Sequence, residues 1–173
     1  MKTRRWHFSM IACFALLVAF LAAAADSLVE LQTHFDHENN SIHKAKLLEK
    51  LADAEFEETR RLGTTSDYNA IGIVLEKYRD NVHLALEALK KDHPDAERHY
   101  NGYRQVEICV RKGLHEVDQI LLLAPDQYKP PIGIVRRDLA GFQDELIAML
   151  FPAHHTTQPP PPVISTPPSE KHP

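Results

Sequence analysis

His34, His37 and Glu38 come closest to carrying chemistry by type and spacing in this chain of 173 residues. On a helix, His34 lies one turn from both His37 and Glu38, so an imidazole and a carboxylate would converge on one transition-metal ion. Two ligands do not make a site, so His43 or His83 would have to be brought near by folding. The simpler reading is a solvated helix face with scattered histidines. Carboxylate-bridged di-iron bundles need Glu-x-x-His on two helices, and no histidine here has a glutamate three residues before it; Asp80 and His83 come nearest.

Other chemistries find less support. There is no nucleophile elbow, no Walker-type glycine loop and no zincin helix motif, and the chain has only six glycines. Cys109 sits between Ile108 and Val110 in an apolar stretch, which suits a buried, inert thiol better than a nucleophile. For an enzyme whose polar groups assemble only in three dimensions, the place to look is a buried cluster around Tyr78, Arg79, Tyr103 and Glu107. The expectation is a non-catalytic protein without a cofactor. Its alternative is a metal-binding or metal-sensing bundle using His34, His37 and Glu38.

The compartment is written at the N-terminus. Lys2, Arg4 and Arg5 precede an apolar run from Ile11 to Leu21 and four alanines, Ala22 to Ala25, the order of a secretory signal peptide. A retained anchor over 6–25 is disfavoured by His7 and Ser9. Cys13 lies too early in the apolar run for a lipoprotein signal, and Trp6 and His7 fit poorly after a twin-arginine pair. Cleavage after residue 25 leaves 148 of the 173 residues, a periplasmic or secreted chain with no transmembrane segment. The formal charge of −4 becomes about −7 once the leader's three cations are gone, a sign that argues against nucleic-acid binding. Cys109 then remains alone, so no intrachain disulfide forms.

Apolar residues recur at helical spacing throughout the body, without the alternation of a half-buried strand. The expected fold is all-α: an antiparallel bundle of four or five helices over 26–151, with a long central helical hairpin and a disordered proline-rich tail over 152–173. In the clearest helix, 67–92, Tyr68, Ile71, Leu75, Tyr78, Val82, Ala85 and Leu89 are spaced alternately three and four apart. Thr65 or Ser66 is its expected N-cap, with Gly63 closing the helix before it. The next helix is expected to start at Pro94, capped by Asp92 or His93, and to end at Leu123 or Ala124. A turn at His93 would set Tyr100 against Ala85, Tyr103 near Val82, and Glu107 in an ion pair with Arg79.

Before this hairpin, residues 27–62 read as one kinked helix, or as two if Asn39, Asn40 and Ser41 break the chain. After Pro125, a loop through Pro130 and Pro131 leads to a last helix with Ile132, Val135, Leu139, Phe142, Leu146 and Met149 on one face. Of the final 22 residues, eight are proline, which favours an extended spacer. Tyr68, Tyr78, Tyr100 and Tyr103 read as core residues before they read as a ligand groove. Heptad-like seams serve intramolecular and intermolecular packing alike, so the expected partner is another protein or a second copy.

Overall fold

The structure is a computed structural model that describes residues 28–152. The leader expected over 1–25 and, Pro152 excepted, the tail expected over 152–173 lie outside the described residues. The described chain is an all-α antiparallel bundle of five helices: α1 (28–37), α2 (Ser41–Thr64), α3 (Tyr68–Asp92), α4 (Tyr100–Leu123) and α5 (Lys129–Leu150). A short 3-10 turn, Asp126–Tyr128, joins α4 to α5. Helix α2 packs most extensively on α3, and α4 on α5, with further contacts of α2 on α4 and of α3 on α5.

The asparagine break is complete, which makes five helices among the described residues. Asn40 Oδ1 accepts the His43 N–H at 2.9 Å and caps α2, while Glu38 Oε1 accepts the Asn40 N–H at 2.8 Å. With those donors satisfied outside a continuous helix, α1 folds back on α2 and α3. Phe35 is fully buried, and the Lys44 ammonium lies 5.0 Å from its ring centroid.

The α2–α3 corner differs from the sequence expectation in both of its caps. Gly63 lies inside α2, and Ser66 takes the left-handed backbone, with φ 56°. The Ser66 N–H bonds Gly63 O at 3.1 Å and the Asp67 N–H bonds Leu62 O at 3.2 Å, the paired bonds of a Schellman motif. Asp67, rather than Thr65 or Ser66, then caps α3 by accepting the Ala70 N–H at 3.0 Å. A non-glycine residue in this region costs about 1 kcal/mol. Ser66→Gly is therefore expected to raise stability by about that amount, read as a higher urea midpoint at unchanged slope. A lower midpoint would show that the serine side chain contributes more than its backbone costs.

The α3–α4 connection also departs from expectation, and it changes the hairpin register. Helix α4 begins at Tyr100 rather than Pro94, because residues 93–99 form a separate turn. Asp95 Oδ1 accepts the Arg98 N–H at 3.2 Å, and Tyr103 donates its hydroxyl to His93 O at 2.8 Å. The longer connection shifts the pairing by about one helical turn. Tyr78 accordingly meets Cys109 and Gly113, and Leu89 meets Gly102. The expected Arg79–Glu107 ion pair does not form: Arg79 pairs with Asp80 at 2.8 Å and Asp138 at 3.3 Å, and Glu107 faces Arg111 at 3.7 Å. Large residues do oppose small ones across the seam, but Gly102 and Gly113 are the small ones.

Pro130 and Pro131 fall inside the first turn of α5 rather than in a preceding loop. Their missing N–H groups have no intrahelical partner to lose at that position. The apolar face of α5 is otherwise as expected, with Ile132, Val135, Leu139 and Leu146 buried and Phe142 and Met149 partly so.

Candidate ligand-binding site

Three polar side chains from three helices meet inside the apolar core. Gln32 comes from α1, Glu55 from α2 and Asn81 from α3; Asn81 is fully buried and Glu55 is 2% exposed. Glu55 and Asn81 occupy the core-facing stripes of their helices. Glu55 is seven residues from both Leu48 and Leu62, and Asn81 lies between Tyr78 and Ala85 at helical spacing.

Asn81 and Gln32 bond reciprocally, and Asn81 also donates to Glu55. Asn81 donates from Nδ2 to Gln32 Oε1 at 2.9 Å and to Glu55 Oε1 at 2.9 Å, and its Oδ1 accepts from Gln32 Nε2 at 3.1 Å. Gln32 Nε2 also reaches Asp36 Oδ1 at 2.7 Å. Both Asn81 amide protons are thus used, and Glu55 Oε1 is satisfied. Glu55 Oε2 is buried and has no hydrogen-bond partner among the described residues.

Burial sets the charge state of this carboxyl. Desolvation pushes its pKa up from 4.5 to about 8, against the opposing pull of the Asn81 hydrogen bond and the Lys77 charge. At neutral pH Glu55 is mostly protonated. Because Oε1 accepts from Asn81, the proton belongs on Oε2, which becomes a buried O–H donor with no acceptor. An unsatisfied buried donor of this kind costs about 1–3 kcal/mol.

A cavity of about 320 Å³ lies against this group, between α1, α2 and α3. Leu28 and Val29 of α1 and Ile73 and Val74 of α3 supply its apolar walls, with Glu55 in the wall between them. Val29 and Ile73 are 67% and 62% exposed and form an apolar rim. Thr33 and Lys77 also line this space; the Thr33 hydroxyl donates to Val29 O at 2.8 Å, and among the described residues Lys77 enters no ion pair. The volume falls in the range of small-molecule sites, and few polar groups among apolar walls is their usual make-up.

A larger cavity, about 450 Å³, opens between the ends of α2, α3 and α4, beside Tyr68 and Ile120. The Arg60 and Tyr68 side chains that line it are already partnered. Arg60 pairs with Glu57 at 2.6 Å and Glu116 at 3.4 Å, and the Tyr68 hydroxyl bonds Leu123 O at 3.1 Å.

The residues singled out from sequence sit elsewhere. His34, His37 and Glu38 do border one shallow depression, with Thr33 and Asn39. However, α1 ends at residue 37, so Glu38 leaves the helical register that would have set it one turn from His34. Its Oε2 lies 3.9 Å from His43 Nδ1, while His34 Nε2 is 3.8 Å from Glu30. Among the described residues, no three His, Cys, Asp or Glu side chains are grouped to hold a metal ion. His83 stacks on Phe142 at 5.5 Å. Tyr78, Arg79, Tyr103 and Glu107 do not gather into one cluster, since each bonds a different neighbour. Cys109 is 2% exposed and its thiol is pushed up to about 12, chiefly by burial, which makes it inert.

Sequence reasoning passed over Glu55, Asn81 and Gln32. The available signal was a carboxylate and an amide placed inside otherwise apolar stripes. No protein-family model, curated protein or solved structure matches the chain. Among the described residues, no helix is long and apolar enough to cross a membrane.

Proposed function

We propose that this chain is an exported, non-catalytic helical-bundle binding module of the cell envelope or extracellular space, and that its site is the cavity beside Glu55. Export rests on the charge, apolar run and alanines of residues 1–25. Binding rests on one observation: a neutral, buried carboxyl with an unsatisfied oxygen stands in the wall of an apolar cavity. A ligand with an apolar body and a hydrogen-bond acceptor would bury the exposed Val29 and Ile73 and give Glu55 the acceptor it lacks. Catalysis fits less well, because among the described residues Glu55 hydrogen-bonds Asn81 and makes no hydrogen bond to a second titratable group.

The test is a titration with decanol, an alkyl chain bearing one small polar head, followed by amide chemical shifts. Saturable shifts confined to residues 28–33, around 55 and 73–77 are expected. Absence of shifts there, or weak non-saturating shifts spread over the surface, would overturn the reading.

A further inference from the structure

The cavity presents two polar groups of the same sense. Glu55 carries a proton to donate, and Lys77 carries a positive charge that acts on Glu55 and is committed to no ion pair among the described residues. Taking the cavity as the binding site, we propose that its ligand is an aliphatic carboxylate, with its head between Glu55 and Lys77 and its chain against Leu28, Val29, Ile73 and Val74.

Each part of that ligand answers a feature of the wall. A carboxylate is an acceptor-only head with two oxygens, so one receives the Glu55 O–H and the other the Lys77 ammonium. An alcohol supplies a single small head and leaves Lys77 without a counter-charge. A cationic head would be repelled by Lys77 and would offer Glu55 no acceptor. Phosphate monoesters carry more charge and more acceptor oxygens than these two donors satisfy. The alkyl chain covers α1 and α3 together, so binding also fastens α1 to the bundle.

The experiment compares decanoate, decanol and decyltrimethylammonium on the purified protein, between the ordinary carboxylate range and the value of about 8 to which Glu55 is raised. Decanoate is expected to bind about tenfold more tightly than decanol, the usual gain of a charge-assisted hydrogen bond over a neutral one, and the ammonium compound to leave the site unperturbed. Lys77 is solvent-exposed, so Lys77→Met should fold normally; it should abolish the decanoate advantage, read as the ratio of decanoate to decanol affinity within the variant. Equal affinities for decanoate and decanol, or decanoate binding indifferent to Lys77→Met, would overturn the carboxylate assignment while leaving the cavity as the site. If neither decanoate nor decanol shifts residues 28–33 and 73–77, both the assignment and the site are wrong.

Discussion

Glu55→Gln is expected to stabilise the protein at neutral and alkaline pH and to leave its stability in acid nearly unchanged. The direction follows from the raised pKa. Below about 4.5, Glu55 is protonated in both the folded and the unfolded chain and favours neither. As pH rises past 4.5, the unfolded chain releases this proton while the folded chain holds it to about 8, so stability falls throughout that window. Each unit of the gap is worth about 1.4 kcal/mol, so the full decline is on the order of 5 kcal/mol, of which about 3 kcal/mol is already present at neutral pH.

Glutamine keeps an oxygen to accept from Asn81 Nδ2 and has no charge to expose. Its amide protons meet the same missing acceptor as the carboxyl proton does, so the substitution mainly removes the ionisation. The groups around Glu55 are Lys77, Asn81 and buried Tyr78 from α3, and Gln32 and Thr33 from α1. Burial holds Tyr78 well above its ordinary range, so it stays neutral across the window. Urea-unfolding free energies of both proteins, measured from acid to alkaline pH, should diverge steadily between about 4.5 and 8. Parallel curves would mean that Glu55 ionises as readily in the folded state as in the unfolded one. The comparison isolates this group, because carboxylates such as Glu87, held low by its hydrogen bond to Lys90, act equally in both proteins.

Sequence legibility divided along physical lines. Helices with long apolar seams were readable because packing enforces the 3.6-residue period: Ile71, Leu75, Tyr78, Val82, Ala85 and Leu89 are all buried on α3. Connections were less readable, because one residue's backbone decides them. Ser66 took the left-handed position that Gly63 was expected to fill, and residues 93–99 lengthened a turn expected at His93. That small error shifted the α3–α4 register, so that Tyr78 meets Cys109 and Gly113, and the Arg79–Glu107 pair was lost with it. The site was the least legible part. Glu55 and Asn81 bond across 26 residues and Asn81 and Gln32 across 49, so none of the three has a local pattern to announce it. His34, His37 and Glu38 had such a pattern, and it depended on a helix that stops at residue 37.

Gly113→Ala should destabilise the protein by about 2–4 kcal/mol, although alanine is the better helix former. In the interior of an exposed helix the change would gain about 1 kcal/mol. At position 113 the new Cβ would overlap the Tyr78 ring, meeting Cε1 and the hydroxyl oxygen and lying 2.7 Å from Cζ. The ring has nowhere to go. Tyr78 is fully buried, its centroid is 4.8 Å from that of Phe56, and its hydroxyl donates to Cys109 O at 2.6 Å. Overpacking of this kind costs about 1–3 kcal/mol, and pulling the hydroxyl off its acceptor adds about 1–3 kcal/mol for a buried donor left unmet. Gly141, in α5, has no heavy atom within 4 Å of an added Cβ, so Gly141→Ala should show the opposite sign, a gain of about 1 kcal/mol. The decisive measurement is a double-mutant cycle of thermal or urea stability with Tyr78→Leu, which removes the obstructing ring. In that background Gly113→Ala should lose its penalty. If Gly113→Ala is neutral with Tyr78 in place, α3 and α4 do not meet through this glycine.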